Sequence, residues 1–180
     1  MHERRFSGDI ERLRSPERVA RLEVERVVRL SLQGMPLHQV LDVGAGTGLF
    51  SEAFLHAGCQ VTGIDVNPDM LAAARRFVPG AAFRVGVAEA LPISNQSQDL
   101  VFFGLLLHET DDLLQALLEA RRVARRRVTA LEWPYKTEEL GPPLEHRLKP
   151  EHLQNLALQA GFKEIERTSL EHLHFYRLDR

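Results

Sequence analysis

Three glycines at alternate positions, Gly44, Gly46 and Gly48, break the apolar run Val40–Phe50. A turn stripped of Cβ atoms lets the backbone approach a ligand closely. Its N–H groups, and the helix start behind it, favour anionic groups. Asp42 stands just before the turn, a carboxylate at the ligand end of a strand. Asp65 follows the first glycine by about 20 residues, the place where an acid accepts hydrogen bonds from ribose hydroxyls.

Two downstream pairs also bear chemistry. In His108-Glu109 the imidazole, with an unperturbed pKa of about 6.5, could take a proton from an oxygen or nitrogen nucleophile. Its competing role is to cap or orient the following helix. In Glu132-Trp133 the acid could bind a substrate amine or act as a base, and the indole could wall a pocket. Asp111 and Asp112 read as helix caps. His172 and His174 would share one strand face, but two histidines without a third ligand do not define a metal site, and no metal is expected. Arg121, Arg122, Arg125, Arg126 and Arg127 cluster at a helix end. They complement the negative pole of that helix and are solvated, with RNA contact as the competing reading.

These residues need elements to hold them. Val40–Val43, Val61–Asp65, Phe83–Val87, Leu100–Phe103 and Val128–Leu131 read as short buried strands. Helices intervene after Thr47, from Asn67-Pro68, and from Asp111 or Asp112 through Leu118. Such alternation implies a parallel, doubly wound sheet, in which ligands bind at the carboxyl ends of the strands. Ser15 caps a helix that begins at Pro16, lines Val19, Leu22, Val27 and Leu30 along one face, and ends at Gly34 and Pro36. Pro150–Ala160 is a helix stopped by Gly161, and Lys163–Leu170 pairs antiparallel with His172–Arg177.

A chain of 180 residues, 44% hydrophobic and 27% charged, suits one domain with a full core. A net charge of -2 exerts no global pull on nucleic acid. The single cysteine, Cys59, excludes an internal disulfide and fits a reducing cytosol. The charged opening MHERRFSGDIERLR is not a secretory signal, and no apolar run approaches the roughly 18 residues that span a bilayer, so a cytoplasmic location without membrane contact is expected.

The glycine turn rules out two nucleotide readings. A P-loop needs lysine and then Ser or Thr after its last glycine; Leu49 and Phe50 stand there. A dinucleotide turn needs a third glycine where this chain has Leu49.

Asp42-Val43-Gly44-Ala45-Gly46-Thr47-Gly48 resembles the first motif of class I S-adenosylmethionine-dependent methyltransferases. Gly63-Ile64-Asp65-Val66-Asn67 resembles the second, Ala88-Glu89-Ala90-Leu91-Pro92 with Asp99-Leu100-Val101 the next, and Leu106-Leu107-His108-Glu109 the region after the fourth strand. The resemblance implies an α/β fold: a doubly wound, mostly parallel, seven-stranded Rossmann-like sheet with an antiparallel last strand. It implies a single methyltransferase-like domain over residues 1–180, with a helical segment over 1–35. The cofactor is then S-adenosyl-L-methionine, held by Asp42, Gly44, Ala45, Gly46, Gly48, Asp65, Val66, Val87, Ala88, Glu89 and Gly104. Val66 would pack on the adenine, and Ala88 would offer its N–H to a ring nitrogen. The family usually places an acid at the position of Val87 to accept from the adenine amino group; valine cannot, and Glu89 is the candidate substitute.

Glu132-Trp133 followed by Gly141-Pro142-Pro143 and Arg147 resembles a small prokaryotic branch close to quinone-type methyltransferases. That resemblance implies a lid over 133–149, with Arg147 meeting an anionic substrate or the cofactor carboxylate. Residues 1–30 and the segment after His108 would complete the cover. His108 and Glu132 are the candidate catalytic residues. The implied reaction is methyl transfer to a small-molecule acceptor. Two alternatives stay open: an RNA or protein methyltransferase docking through the arginines, and a non-catalytic module that binds S-adenosylmethionine or S-adenosylhomocysteine.

Overall fold

The structure, a computed structural model, describes residues 10–180. Seven strands form one sheet: β1 (Gln39–Val43), β2 (Gln60–Asp65), β3 (Ala82–Val85), β4 (Gln98–Gly104), β5 (Ala124–Glu132), β6 (Glu164–Ser169) and β7 (His174–Asp179). Their order is β3-β2-β1-β4-β5-β7-β6. The first five are parallel, and β7 runs antiparallel to both β5 and β6. The order reverses between β1 and β4, which sets a crevice beyond their carboxyl ends.

Strand periodicity sorts the core. Leu41, Val43, Val101 and Phe103 face one side, with Leu117 and Ala120 of α5 (Leu113–Val123) and Leu153 of α6 (Pro150–Gln159). Val40, Leu100 and Phe102 face the other, with Val27 and Val28 of α2 (Val24–Leu32) and Phe54 of α3 (Leu49–His56). Phe102 is fully buried, its ring edge-on to Phe54 at 5.3 Å and tilted against Phe50 at 4.7 Å. Asn67 caps α4 (Pro68–Phe77), and Asp112 caps α5 by accepting from the Gln115 N–H at 3.0 Å.

Four expectations from the sequence change. The single N-terminal helix is two: α1 (Pro16–Arg21) ends at Leu22, and Glu23 adopts φ 46°, a left-handed conformation, before α2. Burial explains the break. α2 buries Val24, Val27 and Val28, whereas α1 buries nothing and leans over the crevice. The third strand ends at Val85 rather than Val87: the Gly86 N–H still reaches the Asp65 carbonyl at 3.1 Å, but Val87 then bridges to Ala90 instead of continuing along β2. β6 is shorter than expected and β7 is shifted two residues along the chain, so His172 lies outside both and does not share a strand face with His174. β5 starts at Ala124, four residues before its expected beginning at Val128, so Arg125, Arg126 and Arg127 are strand residues.

That last change dismantles the arginine patch. Arg127 is 2% exposed, forks onto Asp179 at 2.7 and 3.0 Å, and donates to the carbonyls of Ser31 and Gln33. Arg121 donates to Gly161, Arg122 to Glu119 and the loop carbonyls of Leu91 and Ile93, and Arg125 to Asp99 and Gln96. These side chains splice strands and loops together and do not form a shared docking face. No helix among the described residues is long and apolar enough to cross a membrane.

Candidate functional site

A cavity of about 960 Å³ opens at the carboxyl ends of β1 to β5. At the β1 end the glycine turn is fastened from within. The Gly44 and Ala45 N–H groups donate to the Ile64 carbonyl at 2.7 and 2.9 Å, and the Gly48 N–H to the Ala45 carbonyl at 2.8 Å. The Gly46 N–H donates to Asp65 at 2.8 Å. Most of these N–H groups therefore hold the turn itself, a correction to the expectation that they await an anion. A Cβ on Gly44 would strike Leu106 at 2.8 Å. Gly46, with φ +52°, has nothing within 4 Å of that position, and a side chain there would project into the open cavity.

Asp65 ends β2 with both oxygens engaged: Oδ2 accepts from Gly46, and Oδ1 from the Asn67 N–H at 2.8 Å. Each oxygen can accept a further hydrogen bond, and the residue lines the cavity. Asp42 is 2% exposed, and Ser51 donates to it at 2.6 Å. Burial pushes its carboxyl up to about 6, partly offset by the Ser51 hydrogen bond and assisted by the charge of Asp65.

Val66, Val87, Ala88 and Glu89 line the wall beyond β2 and β3. Val66 is 38% and Val87 37% exposed, so two apolar side chains stand in solvent at the cavity rim. Glu89 Oε1 accepts from the N–H groups of Asp111 and Asp112, at 2.9 and 3.4 Å. One oxygen of this acid therefore holds the approach to α5. Gly104 lines the cavity at the end of β4, where a Cβ would crowd Phe102 and Phe50. Gly48 is absent from the wall; it caps α3 and faces Val78.

The β4 and β5 side holds the titratable pair. After β4, Leu105 takes φ 59°, a left-handed conformation costing a side-chain-bearing residue roughly 1 kcal/mol, and its N–H is held by the Leu131 carbonyl at 2.8 Å. The following turn brings His108 Nδ1 to 2.8 Å from Glu132 Oε2. His108 is 6% exposed and lines the cavity; Glu132, at 1% exposure, lies behind it. Burial opposes the charged imidazole, but the charge and hydrogen bond of Glu132, with Glu109 near Nε2, outweigh it and raise the pKa above its ordinary value. The two residues were read separately along the chain. Adjacency of β4 and β5 makes them a unit, and no spacing in the sequence announces it.

Beyond β5, Trp133, Leu140, Pro142, Pro143 and His146 wall the cavity. Arg147 does not reach it. Its guanidinium is buried and donates to the carbonyls of Pro134, Leu140 and Pro142 and to Glu138. The expected contact with an anionic ligand is thus replaced by internal bonds that hold the loop. Facing this loop across the mouth stand Arg12, Glu17, Arg18 and Arg21, within the 1–30 segment expected to cover the pocket but not singled out individually in the sequence. Among the described residues no group of three His, Cys, Asp or Glu side chains could hold a metal.

A doubly wound sheet of this order, with a glycine turn after β1 and an acid ending β2, defines a nucleotide-type α/β fold whose ligand lies across the switch point. Residues 41–130, half of the chain, match the family model described as methyltransferase domain, and the chain belongs to that family. Among curated proteins it is 34% identical over 106 residues to the demethylmenaquinone methyltransferase of Chlorobaculum parvum, covering 58% of this chain and 44% of that one. It is 36% identical over 106 residues to the malonyl-[acyl-carrier protein] O-methyltransferase of Serratia marcescens, covering 57% and 42%. The chain thus spans under half the length of the curated relatives it matches. Its fold is similar to that of a SAM-dependent methyltransferase from Aquifex aeolicus, with a TM-score of 0.82 at 21% identity, covering 94% of this chain and 96% of that one.

Proposed function

We propose that this chain transfers a methyl group from S-adenosyl-L-methionine to a small-molecule acceptor. The observation that carries the reading is one continuous cavity: Asp65 and the Gly46 backbone at one end, and His108 backed by Glu132 at the other. The residues present fit the cofactor. Asp65 keeps acceptor capacity for ribose hydroxyls. The open space at Gly46 admits the amino-acid portion, and buried Asp42 lies beside it to meet an ammonium. Val66 and Val87 offer apolar surface to a flat base, with the Ala88 N–H and Glu89 nearby.

When bound, the cofactor supplies an electrophilic methyl group that is already activated, so the chain's work is chiefly alignment. His108 receives the proton of an acceptor O–H or N–H at Nε2, because Nδ1 is held by Glu132. Glu132 acts through His108 as a positioning residue. The loop over 133–149 and the α1 segment cover the acceptor end as one domain's lid and wall; residues 1–9, also expected in that cover, lie outside the described residues.

Calorimetric titration with S-adenosylmethionine and S-adenosylhomocysteine, on this protein and on Asp65→Ala, tests the reading. Micromolar binding lost in the variant supports it. Failure of the folded protein to bind either compound overturns it, and binding without turnover across an acceptor screen would favour a non-catalytic module.

A further inference from the structure

Among the described residues, two buried side-chain nitrogens have no hydrogen-bond partner: His174 Nδ1 and Arg18 Nε. His174 is absent from the cavity wall; Arg18 forms part of it. Leaving a polar N–H unpaired and shielded from water is costly unless a ligand completes it. The neighbouring charges sharpen the point. Arg12 and Arg21 line the same mouth and, with Arg18, place three guanidinium groups there against Glu17 and Glu109.

The segment is also fixed in place. Arg14, between Arg12 and Arg18, donates to the Thr47 carbonyl at 3.0 Å, pairs with Glu52 of α3, and lies over the Phe77 ring. The Ser15 hydroxyl caps α1 at the Arg18 N–H. The basic face is thus tied to the glycine turn it overlooks.

Beside these arginines the wall is apolar: Leu13, Leu22, Phe50, Leu105 and Trp133. An acidic head on an apolar body matches that arrangement. We infer that the cavity holds an oxyanion site, in which Arg18, flanked by Arg12 and Arg21, receives a carboxylate or phosphate of a bound ligand. Guanidinium suits the task because its fork matches both groups in geometry. Two ligands carry such a group: an acidic methyl acceptor, and the amino-acid end of the cofactor. The inference rests on the cofactor reading above only for the second.

The test titrates cinnamate, phenyl phosphate and uncharged cinnamamide into the full chain by ligand-observed NMR, with and without saturating S-adenosylhomocysteine. An acceptor acid site predicts the acids bound about tenfold more tightly than the amide, with the preference lost in Arg18→Gln and partly kept in Arg18→Lys. A cofactor carboxylate site predicts that Arg18→Gln weakens S-adenosylhomocysteine about tenfold and leaves 5′-methylthioadenosine, which lacks the amino-acid end, unchanged. If the variant alters neither comparison, the oxyanion site is overturned. An acid preference in protein that never binds S-adenosylhomocysteine overturns the cofactor reading alone.

Discussion

His108 and Glu132 come from the ends of neighbouring strands and meet at 2.8 Å between Nδ1 and Oε2, both shielded from solvent. The hydrogen bond occupies Nδ1, and Nε2 lies 3.8 Å from an oxygen of Glu109, which lines the cavity together with His108. Replacing Glu132 by glutamine keeps the shape and removes the charge that raises the His108 pKa. The imidazole of Glu132→Gln should therefore titrate at lower pH in a proton NMR series, and an unmoved titration would show that the carboxylate does not hold the charge. The sign carries into stability. A histidine whose folded pKa is raised contributes stability in full below its unfolded value of about 6.5, and that contribution is lost as pH rises through the folded pKa. Thermal denaturation of the unmodified protein should lose this contribution as pH rises from about 6.5 through the raised folded pKa, and Glu132→Gln should lack that component.

Asp65 both anchors the glycine turn and faces the cavity, so its loss acts twice. Asp65→Ala should weaken S-adenosylhomocysteine by about 10- to 100-fold, the range set by hydrogen bonds to a charged acceptor. Calorimetry reads the affinity, and a variant that binds as tightly as the unmodified protein would remove Asp65 from the site.

Asp42 is buried with its carboxyl pushed up to about 6. A raised folded pKa in an acid means that stability falls as pH climbs from about 4 to 6 and stays lower above. Asp42→Asn, which keeps the shape, should gain about 1–2 kcal/mol in ligand-free stability at pH 7, a gain that shrinks as pH is lowered toward 4. The same change should weaken S-adenosylmethionine by removing the partner of its ammonium. Urea denaturation at several pH values checks the first half, and titration the second.

Arg147 holds its loop through three carbonyls and one carboxylate. Arg147→Met strands those acceptors and should cost about 1–3 kcal/mol. Arg147→Lys should not restore it, because a single ammonium cannot span four directions. Limited proteolysis should cut both variants first between residues 134 and 147. Protection equal to that of the unmodified loop would refute the role.

The parallel core was legible because its signals are local. Val40–Val43 and Leu100–Phe103 are apolar runs that lie inside the observed β1 and β4, and Asn67-Pro68 marks a helix start that needs no tertiary context. The glycine turn and Asp65 were legible for the same reason: both follow from one strand and its exit. What escaped depends on the sheet. Arg127 reads as part of a basic helix end until β7 supplies Asp179, and Arg147 reads as a ligand contact until its loop closes around it. The break at Glu23 was invisible because Leu22 and Val27 fit one apolar helical face and do join one core cluster; nothing local in the sequence marks the left-handed Glu23 between them. The partnership of His108 with Glu132 is likewise a product of strand order.

The position of β7 between β5 and β6 has a consequence for biosynthesis. β5 is made well before β7, so its outer edge stays unpaired on the ribosome until residues 174–179 emerge. A nascent chain arrested before then can lay down β1 to β4 and the glycine turn, but the strand that bears Glu132 keeps a raw edge open to other chains. The β5 edge that β7 covers thus stays open throughout synthesis of the segment between them.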